Sequence, residues 1–230
     1  MRIFCGRVWV IMLSPYLFIT ASYAQNQFGA TPQISAEFDI GPFLSIDAKI
    51  QNRFQLYQNP PAESGNRSGF DHTGIQFVAT ATKGFLKNFG AGYLFRWDNS
   101  EDSFVQRIIE QYSSEHQLDA IQLEYRIRAD QTFQREEGVK YRFRYSIGVE
   151  QPLKGVTIDP KEYYLTFDNE YVGSFQDGKG HLEIRFSSAL GYNISQDDQV
   201  EAGLDYRASN LLEYDAKNTL WLAIGWRHSF

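Results

Sequence analysis

The segment Gln122–Phe133 reads QLEYRIRADQTF, and the segment Lys140–Val149 reads KYRFRYSIGV. Apolar and charged side chains alternate in both with a period of two, which predicts extended strands with one apolar and one charged face. A short stretch ending in Gly138 separates them, so together they predict an antiparallel hairpin. The charged face of this hairpin is rich in arginine.

The same alternation recurs along the rest of the chain. We count about ten strands between Leu44 and Phe230, most of nine or more residues, and no window carries a sustained helical stripe of apolar side chains. Strands of soluble proteins average ~5–6 residues, whereas strands that cross a membrane need ~9–11. The parity of Phe104–Glu115 stays open. The segment 25–43 is either a periplasmic segment or an additional strand.

Two all-β architectures fit this alternation. A soluble sandwich or lipocalin-like barrel would point the charged faces to water, and a membrane barrel would enclose them. Where parity is clear, the apolar faces carry no Asp, Glu, Lys or Arg, and 16% of the chain is aromatic. Charge on a lipid-facing position costs ~2–4 kcal/mol for Arg or Lys at mid-membrane, and aromatic girdles mark the two interfaces. We therefore predict an antiparallel up-and-down transmembrane β-barrel over 44–230, with twelve strands as the alternative to ten. Its connections should alternate between short turns and longer loops.

The first 24 residues carry the pattern of a secretory signal peptide. Arg2 and Arg7 precede an apolar core, and Ser22 and Ala24 supply the small residues expected before a cleavage site at Gln25. The alternative interpretation is an N-terminal membrane anchor. Export would place the barrel in the cell outer membrane, with outer-membrane lipids as its surroundings.

Composition excludes several classes of function. A formal net charge of −6 disfavours nucleic-acid binding, and there is no glycine-rich phosphate loop. The single cysteine, Cys5, lies in the predicted signal peptide, so no disulfide framework is expected. The four histidines lack the spacing of metal ligands. We expect no metal, no cofactor and no catalytic residue.

The last strand alternates toward a terminal aromatic residue. Trp226, His228 and Phe230 share one parity. This terminus is similar to the C-terminal assembly signal of outer-membrane barrels, which implies recognition by the barrel-assembly machinery.

The charged faces predict a lumen in which acids and bases occur in equal numbers and pair. The members that we expect to form this charge network are Glu124, Arg126, Arg128, Arg142, Arg144, Asp168, Glu170, Glu183, Arg185, Asp205 and Arg207. Because unpaired buried charge is costly, such a lumen needs a paired and hydrogen-bonded network.

Three stretches carry a family resemblance: QRIIEQYSSEHQLDAIQLEYRIRADQTF, then YRFRYSIGVEQPL, then YYLTFDNEY. The Arg-rich hairpin followed by Asn169 and Glu170 resembles the outer-membrane barrel family called domain of unknown function 2490, over roughly Asp47 to Phe230. The resemblance implies a barrel fold and an outer-membrane location, and it implies no activity and no functional residues.

Barrels of ten to twelve strands lie between filled and water-filled lumens. The first interpretation is a structural barrel closed by its charge network. The second is a narrow porin-like channel for small solutes, lined by arginines with a preference for anions. An outer-membrane lipid hydrolase is the alternative, and its rim site would use His72 with the neighbouring Ser68 and Asp71.

Overall fold

The computed structural model describes residues 25–59, 69–83, 87–99, 102–212 and 216–230. The predicted signal peptide, residues 1–24, lies outside the described residues. The described residues form a closed all-β barrel of eleven strands. They are β1 Gln25–Asp39, β2 Leu44–Asn59, β3 Gly69–Lys83, β4 Lys87–Asp98, β5 Ser103–Leu118, β6 Ile121–Gln134, β7 Lys140–Pro152, β8 Tyr163–Gln176, β9 Lys179–Asn193, β10 Asp198–Ser209 and β11 Lys217–Ser229.

Neighbouring strands pair antiparallel from β1 to β11, and the barrel closes where β1 pairs parallel with β11. Residues 25–39 of the segment 25–43 therefore form a strand, β1. The barrel has eleven strands, a number between the ten predicted and the alternative of twelve. The first half of β1 lacks a clear apolar alternation and contains Pro32, which has no N–H to donate. Pro32 lies between the pairs Ala30–Phe54 and Gln33–Gln51, where the β1–β2 pairing is interrupted although the register is kept.

An odd strand number puts Gln25 and Phe230 at opposite ends of the barrel. We call the end where β1 starts the N-terminal end, and the end that contains Phe230 the C-terminal end. Phe230 closes the seam there, because its ring stacks on Phe38 of β1 at 4.7 Å and its N–H donates to the Glu37 carbonyl at 2.8 Å.

The parity of β5 is settled by burial. Val105 and Ile109 are completely buried in the interior, whereas Phe104 and Ile108 are 55% and 45% exposed on the outside. Glu110 therefore faces outward near the middle of the strand, where its register neighbours are Ala91 and Ala129. Its carboxylate makes no ion pair or hydrogen bond with the described residues. Glu110 is thus an exception to the uncharged outward face.

The connections differ less in length than the sequence suggests. The stretch Gly173–Gly180 contains three glycines, yet β8 and β9 continue through it and leave a two-residue turn, Asp177-Gly178. Both turn residues have positive φ, 51° and 78°, which is the backbone of a tight hairpin turn.

The described part of the chain contains no helix that is long and apolar enough to cross a membrane.

Candidate functional site: the charged interior

Asp130 on β6 is the centre of the interior charge network. Its side chain is fully buried, and three arginines contact its two carboxylate oxygens. Arg128 reaches Oδ1 at 3.0 Å, and Arg144 and Arg142 reach Oδ2 at 2.8 Å and 3.4 Å. These side chains alternate along β6 and β7, where Asp130 and Arg142 are register partners. One carboxylate is therefore shared by three guanidinium groups.

The network continues around the barrel wall through Glu170 on β8. Arg144 Nη1 lies 3.6 Å from one Glu170 oxygen, and Arg185 Nη1 lies 2.8 Å from the other. Arg185 also donates from Nε to Glu183, its neighbour on the same face of β9. Asp130, Glu170 and Glu183 with their arginines thus form a continuous belt across four strands.

Two contacts extend this belt. Arg128 Nη2 donates to Gln76 of β3 at 3.1 Å, although two strands separate β3 from β6 along the wall. Arg107 on β5 is 9% exposed and donates to Thr132 at 3.0 Å. We call the set Gln76, Arg107, Arg128, Asp130, Thr132, Arg142, Arg144, Glu170, Glu183 and Arg185 the partition.

A larger cavity of about 950 Å³ lies on the C-terminal side of the partition. Its wall includes Gln76 and Arg128 of the partition and the β1–β2 connection at Gly41, Pro42 and Phe43. The cavity is acidic, with eight acids against four bases. The acids are Glu37, Asp39, Asp47, Glu115, Glu124, Glu150, Asp168 and Glu201, and the bases are Lys49, Arg126, Arg128 and Arg227.

A smaller cavity of about 160 Å³ lies on the N-terminal side. Its charged lining is Lys140, Arg142, Arg185 and Glu183, together with His181. No residue lines both this cavity and the larger one. The interior charges are therefore sorted along the barrel axis into a basic half toward the N-terminal end and an acidic half toward the C-terminal end, whereas the sequence predicted only equal numbers of paired acids and bases.

In each half of the interior an aromatic ring packs against a glycine. In the basic half, Trp221 is 3% exposed, covers Gly29, and carries the Arg53 guanidinium 4.5 Å above its ring. In the acidic half, Tyr164 is completely buried against Gly191 and donates to Glu201 at 2.9 Å. Both glycines are required by close approach of a ring.

All eleven residues of the expected charge network lie on the inward parity of their strands. Six belong to the partition. Four others form two ion pairs, each within one strand: Arg126 Nη2 with Glu124 at 2.6 Å, and Arg207 Nη2 with Asp205 at 2.6 Å. Asp168 lines the acidic cavity. The motif residue Asn169 faces outward and donates to the Arg185 carbonyl at 3.0 Å.

Sequence reasoning missed Arg107, Gln76, Tyr164 and Trp221. The sequence left the parity of β5 open, because Arg107 shares its inward face with the apolar residues Val105 and Ile109. Gln76 is uncharged, and only closure of the barrel brings it to Arg128 across the lumen.

The three residues of the expected assembly signal lie together on the outside of the C-terminal end. Trp226 Nε1 donates to Asp198 Oδ1 at 3.1 Å, and His228 Nδ1 lies 2.9 Å from the same oxygen. The Phe230 ring meets the His228 ring edge-on at 4.3 Å. Through these contacts and the stacking of Phe230 on Phe38, the three side chains join β11 to β10 and to β1.

The residues of the hydrolase alternative are only partly described. His72 is 7% exposed in the basic half, and its Nδ1 lies 3.2 Å from Asp71 Oδ2. Ser68 lies outside the described residues. Among the described residues, no three His, Cys, Asp or Glu side chains are grouped as a metal site requires.

Comparison with known proteins gives one match. No curated protein and no solved structure matches the chain. A family profile described as "Protein of unknown function (DUF2490)" matches residues 28–218, which extend from β1 to the start of β11 and include the whole partition. The chain therefore belongs to this family, the family that the Arg-rich hairpin and the Asn-Glu strand resemble.

Proposed function

We propose that this protein is an exported outer-membrane β-barrel that acts as a closed structural barrel rather than as an open porin. The observation that carries the proposal is the partition, a belt of shared carboxylates and guanidinium groups that separates two cavities with no common lining residue. Breaking such a shared buried ion pair is strongly destabilising, because loss of one charged side chain leaves its partners buried without compensation.

The outward face supports placement in a membrane. Large apolar side chains such as Phe77, Tyr141 and Phe143 are more than half exposed there. A hydrocarbon surrounding leaves no water for unpaired backbone groups, and a closed ladder of eleven strands satisfies them. Lipids and the barrel-assembly machinery are the partners that this proposal requires.

Eleven strands give this proposal a definite topology. With Phe230 in the periplasm, Gln25 lies at the outer surface. We expect an epitope inserted before Gln25 to be accessible to antibody on intact cells, and an epitope after Phe230 to be accessible only after the outer membrane is permeabilised. Fractionation with the inner membrane would overturn the outer-membrane placement, and labelling of both epitopes from one side would overturn the eleven-strand topology.

Conductance in planar lipid bilayers tests the closed lumen. We expect the unaltered protein to give no stable open current. The double variant Asp130→Ala/Arg144→Ala should conduct, because it removes a shared carboxylate and the guanidinium that links it to Glu170. The matched control is Asp205→Ala/Arg207→Ala, which removes an interior pair outside the partition and should stay closed.

Stable current steps from the unaltered protein would overturn the closed barrel and favour the narrow channel for small solutes. In that case Arg142→Gln/Arg144→Gln should lower its preference for anions, measured by reversal potentials in a salt gradient. Within the described residues, the contact that fits the hydrolase alternative is His72–Asp71. Turnover of phospholipid by the protein, abolished in His72→Ala, would establish that alternative.

A further inference from the structure

The basic half of the interior holds more positive charge than its carboxylates can balance. The partition and the smaller cavity together contain six bases, Arg107, Arg128, Lys140, Arg142, Arg144 and Arg185, and three acids, Asp130, Glu170 and Glu183. Neither Arg107 nor Lys140 has a carboxylate of the described residues within 4.0 Å. An excess of buried positive charge is unfavourable unless an anion compensates it.

The smaller cavity is where this excess is accessible. Lys140 and Arg142 line it, while the charges of Arg185 and Glu183, also in its wall, compensate each other. The Arg142 Nε atom lies 3.4 Å from Asp130 Oδ2, and its Nη2 donates to Thr132 at 3.3 Å. Its Nη1 makes no hydrogen bond with a described residue. One ammonium group and one guanidinium edge therefore remain for a ligand.

Neutral donors complete the wall. Ser174, Ser209 and Asn210 also line the cavity. The Ser209 hydroxyl donates to the Lys217 carbonyl at 3.3 Å, whereas Ser174 makes no side-chain hydrogen bond with a described residue. A serine hydroxyl, an ammonium group and a guanidinium fork form a donor set that recognises oxyanions, and the fork favours an oxyanion with several acceptor atoms over a spherical halide. A volume of about 160 Å³ accommodates a small tetrahedral oxyanion with its water.

We propose that the N-terminal cavity is a binding site for a small free oxyanion of the phosphate type, held by Lys140 and Arg142 with Ser174 as an additional donor. The site lies on the side of the partition toward the N-terminal end, and Arg142, Glu183 and Arg185 of the partition form part of its wall. This inference does not depend on the membrane placement or on closure of the lumen.

Titration calorimetry on the purified full barrel in detergent micelles tests the site, with inorganic phosphate as the probe and chloride as the reference anion. We expect saturable phosphate binding that weakens with ionic strength, because the site is largely electrostatic. The variants Lys140→Gln and Arg142→Gln should each raise the phosphate Kd at least tenfold, and Lys140→Arg should retain binding.

Matched controls separate the site from general charge. Lys154→Gln removes a lysine that is exposed in the β7–β8 connection, and Arg126→Gln removes an arginine of the acidic cavity. Both should leave the phosphate Kd unchanged. Migration as a folded, heat-modifiable band on gels checks each variant, and a phosphate-dependent rise in melting temperature of the unaltered protein provides a second measurement.

Two results would overturn the proposal. One is the absence of phosphate binding above the chloride reference, and the other is an unchanged Kd in folded Lys140→Gln and Arg142→Gln. A short-chain phosphatidic acid is titrated in parallel. If that lipid binds while inorganic phosphate does not, the ligand is a lipid headgroup and the free-oxyanion site is wrong.

Discussion

The two halves of the barrel interior use the same charged residue types in opposite ways. Around Asp130, three arginines contact one fully buried carboxylate. Toward the C-terminal end, eight acids and four bases line a cavity of about 950 Å³, and Asp47 there has no ion pair within the described residues. Packing density therefore decides what a charge does. In the basic half it binds neighbouring strands together, and in the acidic half it faces space that water can enter.

The strongest test of this difference removes one carboxylate from each half. We expect Asp130→Ala to lower the free energy of unfolding by about 3–5 kcal/mol, because it leaves buried arginines without their shared partner. Asp47→Ala should cost under ~1 kcal/mol, since solvent screens a charge in an open cavity. Urea titration of the folded barrel in micelles measures both, and equal losses would show that the halves do not differ in packing.

A smaller effect is expected where an aromatic ring covers a glycine. A Cβ added at Gly191 would lie 2.1 Å from the Tyr164 ring, so Gly191→Ala should destabilise the barrel by about 1–3 kcal/mol through overpacking. Gly180→Ala on the same strand meets nothing within 4 Å and serves as the control. The same urea titration applies. Tolerance of Gly191→Ala would show that the acidic half is loosely packed even at its aromatic contact.

The sorting of charge along the axis is testable by chemical labelling. The described residues contain no cysteine, and Ser174 and Thr166 on β8 line the basic and the acidic cavity, respectively. We expect an anionic methanethiosulfonate to outpace its cationic analogue at Ser174→Cys, and the reverse at Thr166→Cys. Each ratio should be about tenfold, equivalent to about 1.4 kcal/mol, because charged clefts concentrate reagents of opposite sign. Equal ratios at both sites would contradict charge sorting.

The smallest expected effect concerns Glu110, which contrasts with both halves because it faces outward. In a bilayer, Glu110→Leu should raise the free energy of unfolding by about 1 kcal/mol, since a mid-membrane carboxylate costs less than the ~2–4 kcal/mol of a base. Glu115→Leu, an inward control on the same strand, loses the bonds from Asn88 and Gln122 and should not stabilise. Unfolding in liposomes measures the change, and a loss of stability in Glu110→Leu would mean that Glu110 has a favourable partner in the membrane.

Much of the barrel was predictable because strand alternation is a local property. The predicted antiparallel hairpin that contains Arg126 and Arg142 is present in the structure as β6 and β7, and its arginines lie on the inward face. Prediction was poorest where local pattern is weak. Val105 and Ile109 obscured the parity of β5, and Gln27 to Pro32 gave β1 no apolar stripe, although the seam with β11 makes it a strand.

The sequence by itself determined the all-β class, the inward parity of the charged side chains and the family, because each of these depends on residues close together in the chain. Only the tertiary structure decided the parallel closure, the partition and the separation of a basic from an acidic half. These features depend on which strands become neighbours and on strand stagger, which brings Gln76 to Arg128 across the lumen. Period-two alternation carries no information about the position of a residue along the barrel axis. Equal numbers of acids and bases along the chain can therefore still form two regions of opposite charge.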